Sequence, residues 1–195
     1  MAALVSLPST HPDLAEFRAM ALEMATRPSS SPPLKKIVGV GAIYVPGYEK
    51  GQTQGLNKSD QVWLREVFKF CAENNLAISP DFTFTPVNAK EGINRQDFLD
   101  PKFSISADIL ISCYVPTPSA GAGFISPRHS RKAWREAAKK TGARLIVAFS
   151  SGWASHYEVR AVDLENPGYQ CGPERKVSKN FRMETLVREA EYAPA

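Results

Sequence analysis

Lys36-Ile37-Val38-Gly39-Val40-Gly41-Ala42-Ile43-Tyr44 decides the fold. It begins as a short apolar run without strict alternation. That pattern reads as a strand buried on both faces, as in a parallel sheet. Two similar runs follow, Ala107-Asp-Ile-Leu-Ile-Ser-Cys-Tyr-Val115 and Arg144-Leu-Ile-Val-Ala-Phe149. Helical patterns fill the intervals. Ser59 or Asp60 can cap a helix with Leu64, Val67, Phe68 and Cys71 on its apolar face, Trp63 at its flank and its end near Asn74. Ser126-Pro127 starts another, which ends at Lys139-Lys140-Thr141-Gly142. There the basic pair suits the negative end of the helix dipole and Gly142 is a natural left-handed stop. Strand, helix, strand, helix, strand is the α/β pattern. Right-handed crossovers then put helices on both faces of a mainly parallel sheet. The expected fold is Rossmann-like, a three-layer α/β/α arrangement.

The remaining segments attach to this centre. Asp81-Phe-Thr-Phe-Thr-Pro-Val87 alternates like a strand, and Gly92 to Phe103 holds one helical turn around Phe98. His156 to Leu164 alternates as an edge strand, Asn166 to Lys179 reads as loop, and Phe181 to Tyr192 reads as a short charged helix. At the other end, Thr10 can cap a helix with Pro12 in its first turn and Leu14, Phe17, Ala21 and Met24 on one face. Pro28-Ser-Ser-Ser-Pro-Pro33 breaks it. Residues 1–33 are therefore expected to form an N-terminal helical arm and Pro/Ser-rich linker, the helix either packing on the main domain through a stiff connector or docking on a partner subunit in a homo-oligomer, and residues 34–195 the α/β domain.

Composition excludes several classes. Hydrophobic residues are 43% and charged residues 23% of the 195, near the globular average. The net charge of +4, with a pI near 9.0, permits a polyanionic partner without requiring one. The three cysteines, Cys71, Cys113 and Cys171, form no CxxC pair, so neither a structural zinc site nor a disulfide framework is expected. No apolar run approaches the ~20 residues of a membrane span. The start of the chain is short, lacks the basic region of a signal peptide and meets Pro8 early, so no signal peptide is expected. The expectation is a soluble, cytoplasmic protein without a metal.

Ligands of such sheets bind outside the carboxyl ends of the strands. Gly39 and Gly41 would let a cofactor approach the first strand, although the third glycine of GxGxxG is missing. Ser150 can offer its hydroxyl at the third strand. Pro116 to Phe124, with Gly121 and Gly123, leads into a capped helix and can bind an anion through its amides. On that helix Arg128, Arg131, Lys132, Arg135 and Lys139 form a stripe able to track phosphates. Cys113 with His129 or His156 is a candidate nucleophile pair.

The order of these motifs resembles class I S-adenosylmethionine-dependent methyltransferases. Ile37-Val-Gly-Val-Gly41 resembles their first-strand motif, Ala107 to Pro116 their fourth-strand motif, and Lys139 to Val147 their passage into the fifth strand. One strand and helix unit is missing between Val87 and Ala107. The resemblance implies a nucleotide-type cofactor, S-adenosylmethionine, facing Gly39 and Gly41. It also implies a reaction site beside Asp108 and Tyr114, where Tyr114 positions a substrate amine or hydroxyl. The alternative is a noncatalytic module that binds nucleic acid or an acidic protein through the basic helix 127–141.

Overall fold

The computed structural model describes residues 6–29, 31–41, 56, 58–87, 93–114, 127–151, 168–172, 175–178 and 181–188. In chain order the elements are β1 (Leu7–Pro8), a 3-10 turn (Pro12–Leu14), α1 (Ala15–Met24), β2 (Leu34–Gly41), α2 (Lys58–Glu73), β3 (Ile78–Thr85) and β4 (Ile93–Asn94). A second 3-10 turn (Arg95–Leu99) precedes β5 (Ile109–Tyr114), α3 (Pro127–Thr141), β6 (Leu145–Ser151), β7 (Tyr169–Cys171), β8 (Arg175–Lys176) and β9 (Phe181–Arg188).

All the strands join one mixed sheet in the order β1-β3-β2-β5-β6-β9-β7, with β4 beside β2 and β8 beside β9. Its centre, β3-β2-β5-β6, is parallel. β1 and β9 run antiparallel to their neighbours β3 and β6. The apolar runs of the sequence become this centre because a strand flanked on both faces must be apolar on both. Side chains alternate accordingly. Ile37, Ile109, Ile111, Val147 and Phe149 pack in one cluster with Phe17 and Ala21 of α1 and Leu64, Val67 and Phe68 of α2. Val38, Val40, Leu110 and Ile146 pack in a second, with Phe98 and with Trp134, Ala137 and Ala138 of α3.

Gly142, with φ +65°, stops α3 as its sequence suggests, and its N–H reaches the Ala138 carbonyl at 3.2 Å. The His11 side chain, not Thr10, accepts the Asp13 N–H at the amino-terminal turn. Among the described residues, no helix is long and apolar enough to cross a membrane.

One alternative is selected and two expectations are corrected. The amino-terminal helix packs on the main domain rather than standing off from it. Leu14, Phe17, Ala21 and Met24 of this segment are buried in the main core, and β1 extends the sheet edge. Arg65 on α2 also grips the Glu16 carboxylate with Nε and Nη2, at 2.8 and 3.0 Å. That hydrogen bond holds the Glu16 carboxyl below its ordinary value, so this exposed tie weakens as pH falls through the lowered value. The apolar face of this helix is thus buried inside the domain. Next, Phe181–Arg188 is a strand, not a helix. It pairs with β6 from Ser151↔Phe181 to Leu145↔Val187 and with β7 on its other side. Lastly, the stretch 166–179 contains β7 and β8 and is not simply loop. The expected strand over residues 156–164 lies outside the described residues.

β9 carries one buried polar oddity. Thr185 is 1% exposed, and its hydroxyl has no hydrogen-bond partner among the described residues. Gly172 packs over it, at a point where a Cβ would collide with that hydroxyl. Thr185→Val removes an unsatisfied buried hydroxyl and keeps the branched shape. It should stabilise the fold by about 1 kcal/mol, or a rise in Tm of roughly 2–4 °C for a chain of this size. A fall in Tm in a thermal melt would contradict the assignment of that hydroxyl as unpartnered.

Candidate functional site

From β2 the chain passes through α2 to β3 on one side, while β5 lies on the other side of β2. The direction of strand progression therefore reverses between β2 and β5. In open α/β sheets this is the topological switch point, and the crevice outside the carboxyl ends of the strands there is where ligands bind. β2 ends at Gly41, β5 at Tyr114 and β6 at Ser151. The register sets Val40 beside Ser112 and Tyr114 beside Ser150. Gly41, Tyr114 and Ser150 thus share one sheet edge. The helix α2 begins at this edge, and the positive end of its dipole favours anionic groups. The loops expected to complete the crevice (42–55, 115–126 and 152–155) lie outside the described residues.

Asp108 is not at this edge. It precedes β5, and the six residues to Tyr114 span about 20 Å of extended chain. Its Oδ2 accepts the backbone N–H groups of Lys35 (2.7 Å) and Lys36 (2.9 Å). Its own N–H donates to the Lys36 carbonyl at 2.8 Å, and its carbonyl accepts from Arg144 and Leu145 at 2.8 and 3.1 Å. Asp108 therefore ties together the amino-terminal ends of β2, β5 and β6. The structure does not bring Asp108 and Tyr114 into one site.

Gly39 sits beside Ile111, two residues from the end of β2. The space a Cβ would fill is already occupied. It would overlap the Val87 nitrogen and lie 2.7 Å from both the Pro86 carbonyl carbon and the Thr85 oxygen. The glycine admits the chain's own backbone on that face, rather than a ligand's. The same segment is held from above. Asp60, in the first turn of α2 and 1% exposed, accepts the Val87 N–H at 2.8 Å. A buried carboxylate thus reaches the carboxyl end of β3 from a helix. The sequence presents Asp60 only as a cap; its signal is an acid in the first turn of the helix that follows β2. Beyond this point β4 takes the place of β3 beside Val40 and Gly41, and the 3-10 turn Arg95–Leu99 follows.

The basic helix is partly committed to the fold. The Lys140 ammonium donates to the carbonyls of Phe98 (2.8 Å) and Asp100 (2.6 Å), and Lys139 lies 3.7 Å from Glu136. Lys132 is exposed and Arg135 half-buried. Arg128 and Arg131 lie on α3, but their side chains are outside the described residues, as are those of Cys113, His129, Tyr114 and Ser150. His156 is likewise outside them. Burial pushes the Cys71 thiol up to about 12, which makes it an inert core group. Among the described residues, no group of three or more His, Cys, Asp or Glu is placed to hold a metal ion.

The strand order defines an α/β protein with a mixed, mostly parallel sheet whose progression reverses at β2/β5. No protein-family model matches this sequence, and no curated protein matches it. Among solved structures, the chain is similar to SMU.1697c, a candidate methyltransferase from Streptococcus mutans in complex with SAH. Identity there is 8%, covering 90% of this chain and 97% of that one, with a TM-score of 0.36. It is also similar to the N-terminal domain of human METTL16 in complex with SAH, with 12% identity, 97% and 75% coverage, and a TM-score of 0.38.

Proposed function

We propose that this protein binds a nucleotide-type cofactor, S-adenosylmethionine, at the β2/β5 switch point and is a divergent methyltransferase. The observation that carries the reading is the strand order. The four central strands are parallel, and their order in the sheet reverses at β2/β5. A mainly parallel, Rossmann-like sheet is what the resemblance to class I S-adenosylmethionine-dependent methyltransferases implies. Gly41 and Ser150 would face the cofactor, with Tyr114 on the substrate side. Gly39 would act indirectly, by admitting the Thr85 to Val87 segment that walls the crevice beside β3. When bound, the cofactor supplies an electrophilic methyl group. The chain's task is then alignment of that group with the acceptor, which needs no strong acid or base.

Calorimetric or thermal-shift titration tests this. At 100 times Kd a ligand stabilises the fold by about 2.7 kcal/mol. For a chain of this size that is a rise of roughly 5–10 °C in Tm. S-adenosylmethionine or S-adenosylhomocysteine should produce it. No shift with either, or with any nucleotide cofactor, overturns the reading.

A further inference from the structure

In Rossmann-like folds two parts make the place for a nucleotide phosphate. A glycine at the first strand lets the phosphate come close to the backbone. The amino-terminus of the next helix faces it with N–H groups and the positive end of a dipole. Both parts exist here, as Gly39 in β2 and the start of α2. The space between them is taken. A Cβ on Gly39 would overlap the Val87 nitrogen, and the N–H of that same nitrogen donates to the Asp60 carboxylate, in the first turn of α2, at 2.8 Å. Strand, peptide and helix are thus stacked in direct contact. The stack is packed throughout: Thr85, Pro86 and Val87 are buried, and Asp60 is 1% exposed.

Charge acts in the same direction as bulk. A phosphate drawn to the start of α2 meets a carboxylate already seated there. Little water surrounds that carboxylate, so the repulsion is weakly screened. The favourable end of the α2 dipole is occupied by the chain's own acid.

We infer, on the basis of the β2/β5 cofactor site proposed above, that Asp60 is a specificity-determining residue. With the peptide it holds, it closes the phosphate position, so the site takes nucleosides without a phosphate and rejects nucleoside phosphates and dinucleotides. An adenosine with a hydroxyl or a thioether on its 5′ carbon meets neither obstacle.

Adenosine, S-adenosylhomocysteine, AMP, ATP and NAD are the probes, titrated calorimetrically into the full chain. The same titrations are run on Asp60→Asn, which keeps an oxygen for the Val87 N–H and removes the charge. Asp60→Thr, a second neutral variant, serves if Asn does not fold. In the parent, adenosine and S-adenosylhomocysteine should saturate, with AMP at least about tenfold weaker than adenosine, a difference of roughly 1.4 kcal/mol. In the neutral variant the ratio of the two affinities should narrow by about threefold or more, because the like-charge repulsion is gone. A merely structural role for Asp60 would weaken both ligands alike and leave that ratio unmoved. AMP, ATP or NAD binding the parent as tightly as adenosine overturns the inference and leaves a nucleotide site at the switch point standing. An unchanged ratio in the neutral variant does the same. Failure of all five probes overturns the cofactor reading itself, and the inference with it.

Discussion

Gly39→Ala should lower the unfolding free energy by about 3 kcal/mol or more, at the upper end of what overpacking costs. The reason is the nature of the obstacle. The new methyl would meet the nitrogen of Val87, the carbonyl carbon of Pro86 and the carbonyl oxygen of Thr85, which are backbone and cannot swing aside. Relief requires the segment to lift from β2. Lifting it strains the bond from Val87 to the buried Asp60 carboxylate and so loosens the first turn of α2. A melt should show a Tm lower by roughly 6–12 °C. A variant within a degree or two of the parent would mean that Thr85 to Val87 does not lie over Gly39. The substitution also bears on the crevice. If the segment walls a cofactor site, the folded fraction of the variant should bind cofactor more weakly, although Gly39 itself touches none.

The centre of the fold is legible in the sequence because burial on both faces leaves a continuous apolar run. Ile37 to Val40, Ile109 to Ile111 and Leu145 to Val147 each show it, and each is a central parallel strand. Legibility fails where two periods fit the same residues. In Phe181–Arg188, the positions Met183, Leu186 and Val187 satisfy the i, i+3, i+4 spacing of a helix. As a strand, Met183 and Val187 face one cluster and Leu186 the other. Only pairing with β6 chooses between them, and that is a tertiary event no local pattern records. The amino-terminal helix shows a related limit. Its apolar face and its packing on the main domain are visible, but not which elements it meets: Phe17 lies against Phe68 of α2, a long-range contact that no local pattern records. The site was half legible. Strand ends place Gly41, Tyr114 and Ser150 at one edge by register alone. The filled space over Gly39 was hidden, because a glycine that admits backbone and one that admits a ligand are the same letter.

Asp108→Ala separates the two roles an acid at the head of β5 can hold. As a tie between strands it should cost about 3 kcal/mol, since a carboxylate oxygen accepting two backbone N–H groups makes two charge-assisted bonds and each such bond contributes roughly 1.5–3 kcal/mol before solvent exposure weakens it. Both donors, Lys35 and Lys36, lie at the start of β2, so their loss frees the end of a central strand against β5. Asp108→Asn keeps one accepting oxygen without its charge and should lose less, about 1–2 kcal/mol. Neither change reaches the carboxyl edge, about 20 Å along the strand. Cofactor affinity, measured well below the melting transition, should therefore stay within about twofold of the parent in both variants, a difference under roughly 0.5 kcal/mol. Tyr114→Phe should behave in the opposite manner, with Tm little changed and turnover reduced, because Tyr114 ends β5 at the proposed substrate side. An Asp108→Ala protein that melts like the parent but loses cofactor binding would return Asp108 to the reaction site. Denaturant titration paired with calorimetry on the two Asp108 variants distinguishes the cases, because a strand tie moves the first measurement and a ligand contact moves the second, while a methyl-transfer assay reads Tyr114→Phe.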